Sequence, residues 1–510
     1  MINQPLINDN RIIFSDSQIS RHFPILFASN EEEHNILVSD EYKGLSFHEN
    51  IETIKNRPNS KIFIGITREN FYKLGEILSY IGQITHNAPL CSASNFEIRM
   101  IRDIYQNFIL YLRTLSNGIL SESSIYFVIC DKNLLQILIV LEQNNNCYDE
   151  RKLLRILGMI AKHVFIGPES LVIGLNQICN TNCIHCSSHS ILNQHKGDRN
   201  HQLPFEIVRG IIDDAYSLKV DCILLIGSGE PLLHPSCIPI LEYARKKGIG
   251  ATLLTNGVIL NKETIDKLIA INVSSIQCSL PAGSAKVYDN VCFQTKGHFP
   301  DIIKNLKYYV EKKGSENNLL IHHVIHNMNF HDIRNMIKTD IYIKSDMVRF
   351  HLIRILKCLL SLKLSEADIR HLTEEYLNLK DDLDNNHMKL IGNFNFQLAN
   401  YEPIKGNWCN NVFTKLGCNV GFFYSDIREN GDIVLCCHGA TIGNIHEMSF
   451  KDIWLSKKYH RFRSKALVLN PSDRTILNPN SSFDENCEQC ENYQQILEYN
   501  GIFKKMGILE

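Results

Sequence analysis

Three cysteines within eight residues constrain this chain more than any other feature of its sequence. Cys179, Cys183 and Cys186 follow an apolar run that is typical of a buried strand. A closed structural metal site takes four protein ligands, so three thiolates from one loop leave a position open for another molecule. The pattern favours a four-iron cluster with one iron free to bind a reactant. A zinc site completed by His185 or His189, and three unrelated thiols, are the alternatives.

The composition is typical of a soluble globular protein. The chain has 510 residues, enough for two or three domains, and its formal net charge of −2 offers no broad basic surface for nucleic acid. The N-terminus lacks a secretory signal, and no apolar run approaches the length of a membrane span. The 17 cysteines are therefore expected to be reduced thiols and metal ligands. We predict a cytoplasmic protein that has neither nucleic acid nor a membrane as a partner.

From residue 169 onward the sequence alternates between strand and helix patterns. Strands are predicted at 171–175, 222–226, 250–254, 275–280, 319–325 and 348–355, and helices at 205–218, 238–247, 261–271, 299–312 and 333–343. This order predicts an α/β fold in which a parallel sheet with right-handed crossovers forms a partial (β/α)6 TIM-like barrel over 169–355. In such a barrel the loops that follow the strands meet at one rim, where catalytic residues lie.

Two further loops after predicted strands carry residues suited to ligand binding. Gly229, Glu230 and Pro231 end a Gly-Ser-Gly-Glu-Pro segment, whose glycines allow the backbone to approach a ligand closely. Glu230 or a neighbouring carbonyl group can accept hydrogen bonds from a ligand amine. The next strand is followed by a Thr-Asn-Gly loop around Asn256. The order of the strands places both loops at the same rim as the three cysteines.

The segments on either side of the predicted barrel differ in character. Residues 1–165 carry no chemical motif and are predicted to form an α+β extension, with a helical pattern at 96–115. This extension is either a substrate or leader recognition module or a structural addition. Residues 356–405 have a helical and polar pattern that indicates a bridge, and 406–510 form a small cysteine-rich domain.

The C-terminal cysteines form a second set of metal ligands. Cys418 is followed by twelve residues, Gly431, four residues and Cys436, and Cys487 and Cys490 form a Cys-x2-Cys pair. An Asn-Gly turn at 430–431 predicts a β-hairpin that returns the chain toward Cys418. Four thiolates make a closed site, for which zinc and an iron–sulfur cluster are equally suitable. Two spare cysteines are able to replace one of the four, namely Cys409 and Cys437.

These motifs resemble the radical S-adenosylmethionine (SAM) superfamily. The resemblance covers residues 169–355 and rests on the Cys-x3-Cys-x2-Cys loop, the Gly-Glu-Pro loop at 229–231 and the Thr-Asn-Gly loop at 255–257, in that order. Residues 409–490 resemble the auxiliary-cluster extension called SPASM in a shortened, twitch-like form. Its Cys-x12-Gly-x4-Cys signature is complete, whereas the middle and final cysteines of a full SPASM domain are absent. The resemblance therefore implies one auxiliary [4Fe-4S] cluster.

The resemblance also implies roles for individual residues. The cysteines of the first loop would hold a [4Fe-4S] cluster whose open iron binds the amino and carboxylate groups of SAM. The auxiliary cluster would be held by Cys418, Cys436, Cys487 and Cys490. The methionine end of SAM would be lined by Gly229, Glu230 and Pro231, and its ribose or carboxylate would be bonded by Asn256 and Ser279. His185 departs from the family pattern of an aromatic residue beside the adenine, and its planar ring is expected to stack there.

The implied reaction begins with the reductive cleavage of SAM to a 5′-deoxyadenosyl radical, which takes hydrogen from an unactivated carbon. The electron would come from a donor such as flavodoxin or ferredoxin. The N-terminal extension favours a substrate that is a ribosomally made peptide. The alternative substrate is a small molecule, with the enzyme acting as a radical dehydrogenase, epimerase or dehydratase of a sugar or aminocyclitol. A more distant alternative is a protein with two zinc sites and no catalysis.

Several other residues are candidates for roles in the interior of the barrel. Cys292 and Cys437 are possible hydrogen-atom donors to a substrate radical, although most free thiols are structural. His322 and His323 are neighbours in a predicted strand, so at most one of them reaches the interior. His326 follows that strand on the rim side and is a candidate for proton transfer.

Overall fold

The N-terminal part of the chain forms a mixed sheet of six strands. The computed structural model describes strands within 25–129 together with residues 150–162, 164–193, 200–409, 412–437, 439–469 and 487–505. The six strands are β1 Ile25–Ala28, β2 Ile36–Leu37, β3 Lys61–Ile66, β4 Phe96–Arg102, β5 Phe108–Thr114 and β6 Ser124–Ile129. Their order across the sheet is β2-β1-β3-β6-β5-β4, and only the β3–β6 pair is parallel.

The helix predicted over 96–115 is wrong. The segment forms the antiparallel strands β4 and β5, with Phe96 opposite Thr114 and Arg102 opposite Phe108. Its β-branched and aromatic residues favour a strand, and the pairing of its two halves decides between the two structures.

The barrel region consists of helices and strands that alternate along the chain. After helix α1 Glu150–Ala161, the elements are β7 Ser170–Gly174, α2 Phe205–Ser217, β8 Cys222–Ile226, α3 Cys237–Lys246, β9 Gly250–Thr255, α4 Lys262–Ala270, β10 Ser275–Ser279, α5 Ala285–Val291, α6 Phe299–Lys312, β11 Asn318–Ile325, α7 Ile333–Ile343 and β12 Met347–Leu352. Strands β7 to β12 pair in parallel in sequence order. The predicted α/β fold with a partial barrel is therefore confirmed.

The two faces of the barrel strands have different surroundings. Residues beneath the helices are fully buried, as are Ile276 and Cys278 in β10. Alternate residues on the other face keep part of their accessible surface, as do Gln277 and Ser279 in the same strand. The inner face of the sheet therefore lines a space.

The barrel sheet continues beyond six strands at both edges. Residues 356–405 are mostly helical, as predicted, with α8 Glu366–Asn385 and α9 Phe394–Asn400, but they also supply β13 Lys389–Ile391, which pairs in parallel with β12. The C-terminal part contains α10 Val412–Leu416, β14 Tyr424–Ile427, β15 Asp432–Val434, β16 Thr441–Asn444, α11 Phe450–Leu455, α12 Lys457–Leu467 and α13 Tyr493–Lys505. The predicted hairpin is present as β14 and β15, with Gly431 at a positive φ of 86°.

The hairpin is joined to the barrel rather than separate from it. Strand β14 pairs in parallel with β7, with Asp426 opposite Val172, so one ten-stranded sheet runs from β13 to β16. This pairing holds the C-terminal cysteines at a fixed place relative to the strand that precedes the first cysteine loop. Among the helices that the structure describes, none combines the length and the apolar character that a membrane crossing needs.

Candidate active site

The first cysteine loop leaves β7 and is held by the Gly-Ser-Gly-Glu-Pro loop. The side chain of Asn176 donates to the carbonyl oxygen of Glu230 at 3.1 Å, and the amide of Glu230 donates to the carbonyl oxygen of Ile178 at 2.8 Å. The backbones approach so closely that a Cβ on Gly229 would lie 2.1 Å from the oxygen of Ile178. Gly229 therefore allows a close contact between two protein loops.

Glu230 lies inside the protein rather than facing open space. It is 2 % exposed, and its carboxylate accepts hydrogen bonds from the Thr255 hydroxyl at 2.7 Å, the Asn256 amide at 2.7 Å and the Leu232 amide at 3.2 Å. Pro231 begins a turn of 3-10 helix at this point and is buried. Glu230 thus fixes the position of the Thr-Asn-Gly loop relative to the Gly-Ser-Gly-Glu-Pro loop.

The Thr-Asn-Gly loop in turn contacts the cysteine loop. The Asn256 side-chain amide donates to the side-chain oxygen of Asn180 at 2.7 Å and lies 3.9 Å from Cys179 Sγ. Its own side-chain oxygen accepts from the Val258 amide at 3.0 Å. The structure therefore brings together the three loops that the sequence placed at one rim.

Burial affects the ionisation of Glu230, and this leads to a prediction. Burial raises its pKa from 4.5 to about 7, although the bonds from Asn256, Thr255 and Leu232 each lower it. Because the folded-state pKa lies above the unfolded value, the contribution of Glu230 to the free energy of unfolding is greatest below pH 4.5. It falls as the pH rises through 7. At about 1.4 kcal/mol per pKa unit, we expect a loss of roughly 2–3 kcal/mol between pH 5 and pH 8.

The Glu230→Gln variant should lack this loss. We therefore expect the thermal midpoint of the parent to fall by more between pH 5 and pH 8 than the thermal midpoint of the variant does. Glu242→Gln is the control, because Glu242 is an exposed carboxylate of α3 that pairs with Lys246. An equal pH response in the parent and in Glu230→Gln would contradict the prediction.

Each sulfur of the cysteine loop has a polar neighbour. Cys179 Sγ faces the Asn256 amide, Cys183 Sγ lies 3.5 Å from the Thr181 hydroxyl, and Cys186 Sγ accepts from the His189 amide at 3.2 Å. Burial raises the pKa of Cys179 to about 12, and the neighbouring thiols of Cys183 and Cys186 add to this rise.

The donor set fits an iron–sulfur cluster. Three partly buried thiols with hydrogen bonds directed at their sulfur atoms are the ligands and surroundings that such clusters have in proteins. Within the described ranges, no three His, Cys, Asp or Glu side chains are arranged to hold a single metal ion. The fit therefore rests on the chemistry of the donors and on their convergence.

Three other predicted residues of the barrel interior are His185, Ser279 and Cys292. The His185 ring packs against His326, with ring centroids 5.4 Å apart, and burial lowers its pKa to about 4. Ser279 ends β10 on its inner face, opposite His322. Cys292 is buried with its sulfur 3.5 Å from that of Cys183, so it lies beside the cysteine loop.

The histidines of β11 divide between the two faces, as predicted. His322 keeps partial exposure on the inner face, whereas His323 is fully buried and lies 2.9 Å from Asp340 beneath the helices. The His323 ring also stacks on Phe350 of the next strand, with centroids 4.9 Å apart. His323 therefore has a structural place, and only His322 faces the space inside the barrel.

The C-terminal cysteines converge on a second group of thiols. Burial is the main cause that raises the pKa of Cys487 and of Cys490, and neighbouring thiols add to it: Cys487 is affected by Cys436, Cys418 and Cys409. Cys490 is affected by Cys409, Cys418, Cys437 and Cys487. The group thus contains all four predicted ligands and both spare cysteines.

Backbone contacts hold this second group against the barrel. The Trp408 and Cys409 amides donate to the carbonyl oxygen of Glu488 at 3.0 and 2.9 Å, which joins the start of the domain to the Cys487–Cys490 turn. The Gln489 side chain bonds both the amide and the carbonyl oxygen of Ile355, just after β12. The Cys437 thiol interacts electrostatically with Asp426 of β14 and with Glu491.

Glu429 is a functional candidate that sequence reasoning did not find. It follows β14, is 6 % exposed, and its carboxylate accepts a hydrogen bond from the Ser228 amide in the Gly-Ser-Gly-Glu-Pro loop. It also fills the space over Gly174, where a Cβ would lie 2.9 Å from its carboxyl carbon. One side chain therefore links the C-terminal hairpin to a loop of the first site.

Comparisons with known proteins agree with this geometry. Residues 173–339 match the radical SAM superfamily, and residues 418–491 match the SPASM iron–sulfur cluster-binding domain. The chain therefore contains a radical SAM domain that is followed by a C-terminal SPASM domain. A radical SAM domain uses a [4Fe-4S] cluster and SAM, and a SPASM domain carries auxiliary iron–sulfur clusters.

Named relatives are similar over part of their length. An AdoMet-dependent heme synthase of Methanosarcina barkeri is 31 % identical over 124 residues, which is 24 % of this chain and 34 % of the relative. The mycofactocin maturase MftC of Mycobacterium ulcerans is 32 % identical over 131 residues, 26 % of this chain and 34 % of the relative. The matches thus span about a third of the length of these curated relatives.

A solved structure shares the fold. SuiB of Streptococcus suis, in its crystal structure bound to S-adenosylmethionine, matches with a TM-score of 0.50 and 19 % identity, over 72 % of this chain and 89 % of that chain. This similarity supports the assignment of the fold.

Proposed function

We propose that this protein is a radical SAM enzyme that modifies a ribosomally made peptide. The observation that carries the proposal is the contact of three loops at one rim: Asn256 reaches Asn180 and Cys179 in the cysteine loop, and Glu230 holds Asn256. A cysteine loop, a Gly-Glu-Pro loop and an Asn-Gly loop joined in this way form a site that opens on the inner face of the sheet.

In this proposal the chain's own residues position the reactants. Cys179, Cys183 and Cys186 hold the SAM-binding cluster, and the backbone of Gly229 and the side chains of Asn256 and Ser279 orient SAM. Glu230 acts indirectly, because its three protein partners show that it positions Asn256. When bound, the cluster supplies the electron that cleaves SAM and so yields the radical that takes hydrogen from substrate. The surrounding sheet excludes water and competing donors from that radical.

In the second site Cys418, Cys436, Cys487 and Cys490 hold one auxiliary cluster. Cys437 directly follows Cys436 and interacts electrostatically with Asp426 of β14, so we favour it of the two proposed hydrogen donors. Cys292 lies against Cys183, so its thiol is better explained by packing beside the cysteine loop. A flavodoxin or ferredoxin is the proposed source of electrons.

Two features support a peptide as the substrate. The relative MftC is named a maturase, and this chain has a six-stranded sheet ahead of the barrel whose edge strands are β2 and β4. An exposed edge strand is a common means of binding an extended peptide, by adding a strand to the sheet. Residues 1–165 are therefore proposed to recognise the leader of a precursor peptide.

The proposal is tested with anaerobically reconstituted protein, dithionite and SAM. We expect about eight irons per chain, formation of 5′-deoxyadenosine, and a SAM-dependent mass change in a short peptide encoded beside the gene. Turnover of a sugar or aminocyclitol in place of the peptide would contradict the substrate class alone. A protein that binds zinc, contains no iron and forms no 5′-deoxyadenosine would contradict the enzyme assignment itself.

A further inference from the structure

Strands β11 and β12 place three basic side chains next to one another on the inner face of the sheet. His322 is opposite Arg349 in the parallel register, and His351 lies two residues beyond Arg349 on the same face. The rings of His322 and His351 are in contact, with centroids 4.5 Å apart. We call Arg349, His322 and His351 the inner basic group.

The guanidinium of Arg349 has no partner in the part of the chain that the structure describes: it forms neither a hydrogen bond nor an ion pair there. The acid that faces it is Glu491, which attracts it only over a longer distance. Arg349 is enclosed by protein, and burial lowers its pKa, yet part of its surface remains accessible from the interior. A buried charge without a partner is strongly unfavourable, so this arrangement is suited to binding an anion.

The histidines supply hydrogen bonding rather than charge. Burial lowers the pKa of both His322 and His351, which keeps the rings neutral. His351 Nδ1 lies 2.8 Å from the carbonyl oxygen of Leu352, which makes that nitrogen the donor. His322 Nε2 is buried and has no hydrogen-bond partner among the described residues, so it remains available for a ligand. Arg349 would thus supply the charge and His322 one N–H group.

The inner basic group lies between the two cysteine sites. His322 and His351 both interact electrostatically with His185 of the first cysteine loop. On the other side, Glu491, which affects Arg349 and His351, follows Cys490 directly. Arg349 lies two residues before His351 along β12, about 7 Å further from the rim loops that would hold SAM. A substrate that reaches between the two sites would lie against this group.

We propose that Arg349, assisted by His322, binds a carboxylate of the substrate inside the barrel. The proposal rests on the proposed function, since it names a chemical group of that enzyme's substrate. In a peptide the carboxylate belongs either to an Asp or Glu side chain or to the C-terminal residue. The planar guanidinium suits both, because it can bind the two oxygens of a carboxylate at once.

Three small probes test the proposal on the reconstituted holoenzyme with SAM. Acetyl-glutamate amide carries a side-chain carboxylate, acetyl-alanine carries a terminal one, and acetyl-glutamine amide is the uncharged isostere of the first. By calorimetric titration we expect the parent to bind at least one carboxylate probe about ten-fold more tightly than the amide. The carboxylate that is preferred identifies the source.

The Arg349→Gln variant should lose this preference, and His322→Phe should reduce it by a smaller factor. Arg334→Gln is the matched control, because Arg334 lies on the surface and pairs with Glu375, and it should keep the preference. Folding is checked separately: since Arg349 has no partner to lose among the residues that the structure describes, the thermal midpoint of ligand-free Arg349→Gln should equal or exceed that of the parent.

Two results would overturn the proposal. The first is a parent that binds the carboxylates and the amide equally, or binds no carboxylate at all. The second is a loss of SAM affinity in Arg349→Gln without any carboxylate preference in the parent, which would assign the guanidinium to SAM. Failure of the proposed function is a separate result, because it is detected as absence of 5′-deoxyadenosine in the parent.

Discussion

Replacing Cys179, Cys183 and Cys186 together by alanine is expected to abolish the reductive cleavage of SAM. The three thiols are the only cysteines in the loop after β7, and each has a hydrogen-bonding neighbour directed at its sulfur. Without them the cluster that SAM binds has no ligands, so formation of 5′-deoxyadenosine should fall by at least roughly three orders of magnitude. The iron content should fall by about four per chain, to that of the auxiliary site.

The matched control for this variant is Cys222→Ala. Cys222 is a partly buried cysteine of β8 whose sulfur lies 3.4 Å from the Thr252 hydroxyl, outside both groups of converging thiols. It should keep the iron and the activity of the parent. A triple variant that retained all of its iron, or still cleaved SAM at the parental rate, would remove the basis for placing the cluster in this loop.

The barrel could be predicted from the sequence because its signals are local. The apolar strand at Cys222–Ile226 and the helices Phe299–Lys312 and Ile333–Ile343 have the bounds that their patterns predicted. The N-terminal helix prediction failed at Phe96–Arg102 and Phe108–Thr114, because a continuous run rich in Ile, Leu and Phe is compatible with either period. There the pairing of two strands, which the run does not display, determined the structure.

The candidate site, like the fold, has parts that local sequence patterns predicted and parts that they did not. Spacing identified the cysteines and the two ligand loops, since each motif lies within a few residues of chain. Contacts between distant segments gave no such signal: Glu429 bonds Ser228 across 201 positions, and Arg349 is one arginine in an ordinary strand pattern. The role of Glu230 was also hidden, because Thr255 and Asn256 become its neighbours only when β8 and β9 lie side by side.

Among the C-terminal cysteines, Cys418, Cys436, Cys487 and Cys490 are expected to be the ones whose replacement removes the auxiliary iron. Six thiols converge there, and a closed site takes four. Each single change to alanine should lower the iron content by about four per chain while the first site still cleaves SAM. Product formation from the true substrate should fall by at least about ten-fold, because the auxiliary cluster would bind the substrate or carry an electron away from the product radical.

The two remaining thiols of this group make the comparison decisive. Cys409→Ala and Cys437→Ala should keep the iron, since neither belongs to the hairpin signature or to the Cys487–Cys490 turn. Cys409 is fully buried and lies 3.9 Å from the carbonyl oxygen of Cys490, so it is the nearest substitute for a ligand. Loss of iron in Cys409→Ala, with iron retained in Cys436→Ala, would mean that Cys409 and not Cys436 is a ligand of the auxiliary cluster. In that case the ligands would be determined by which thiols lie closest together in the fold. The Cys-x12-Gly-x4-Cys spacing would then reflect only the formation of the hairpin.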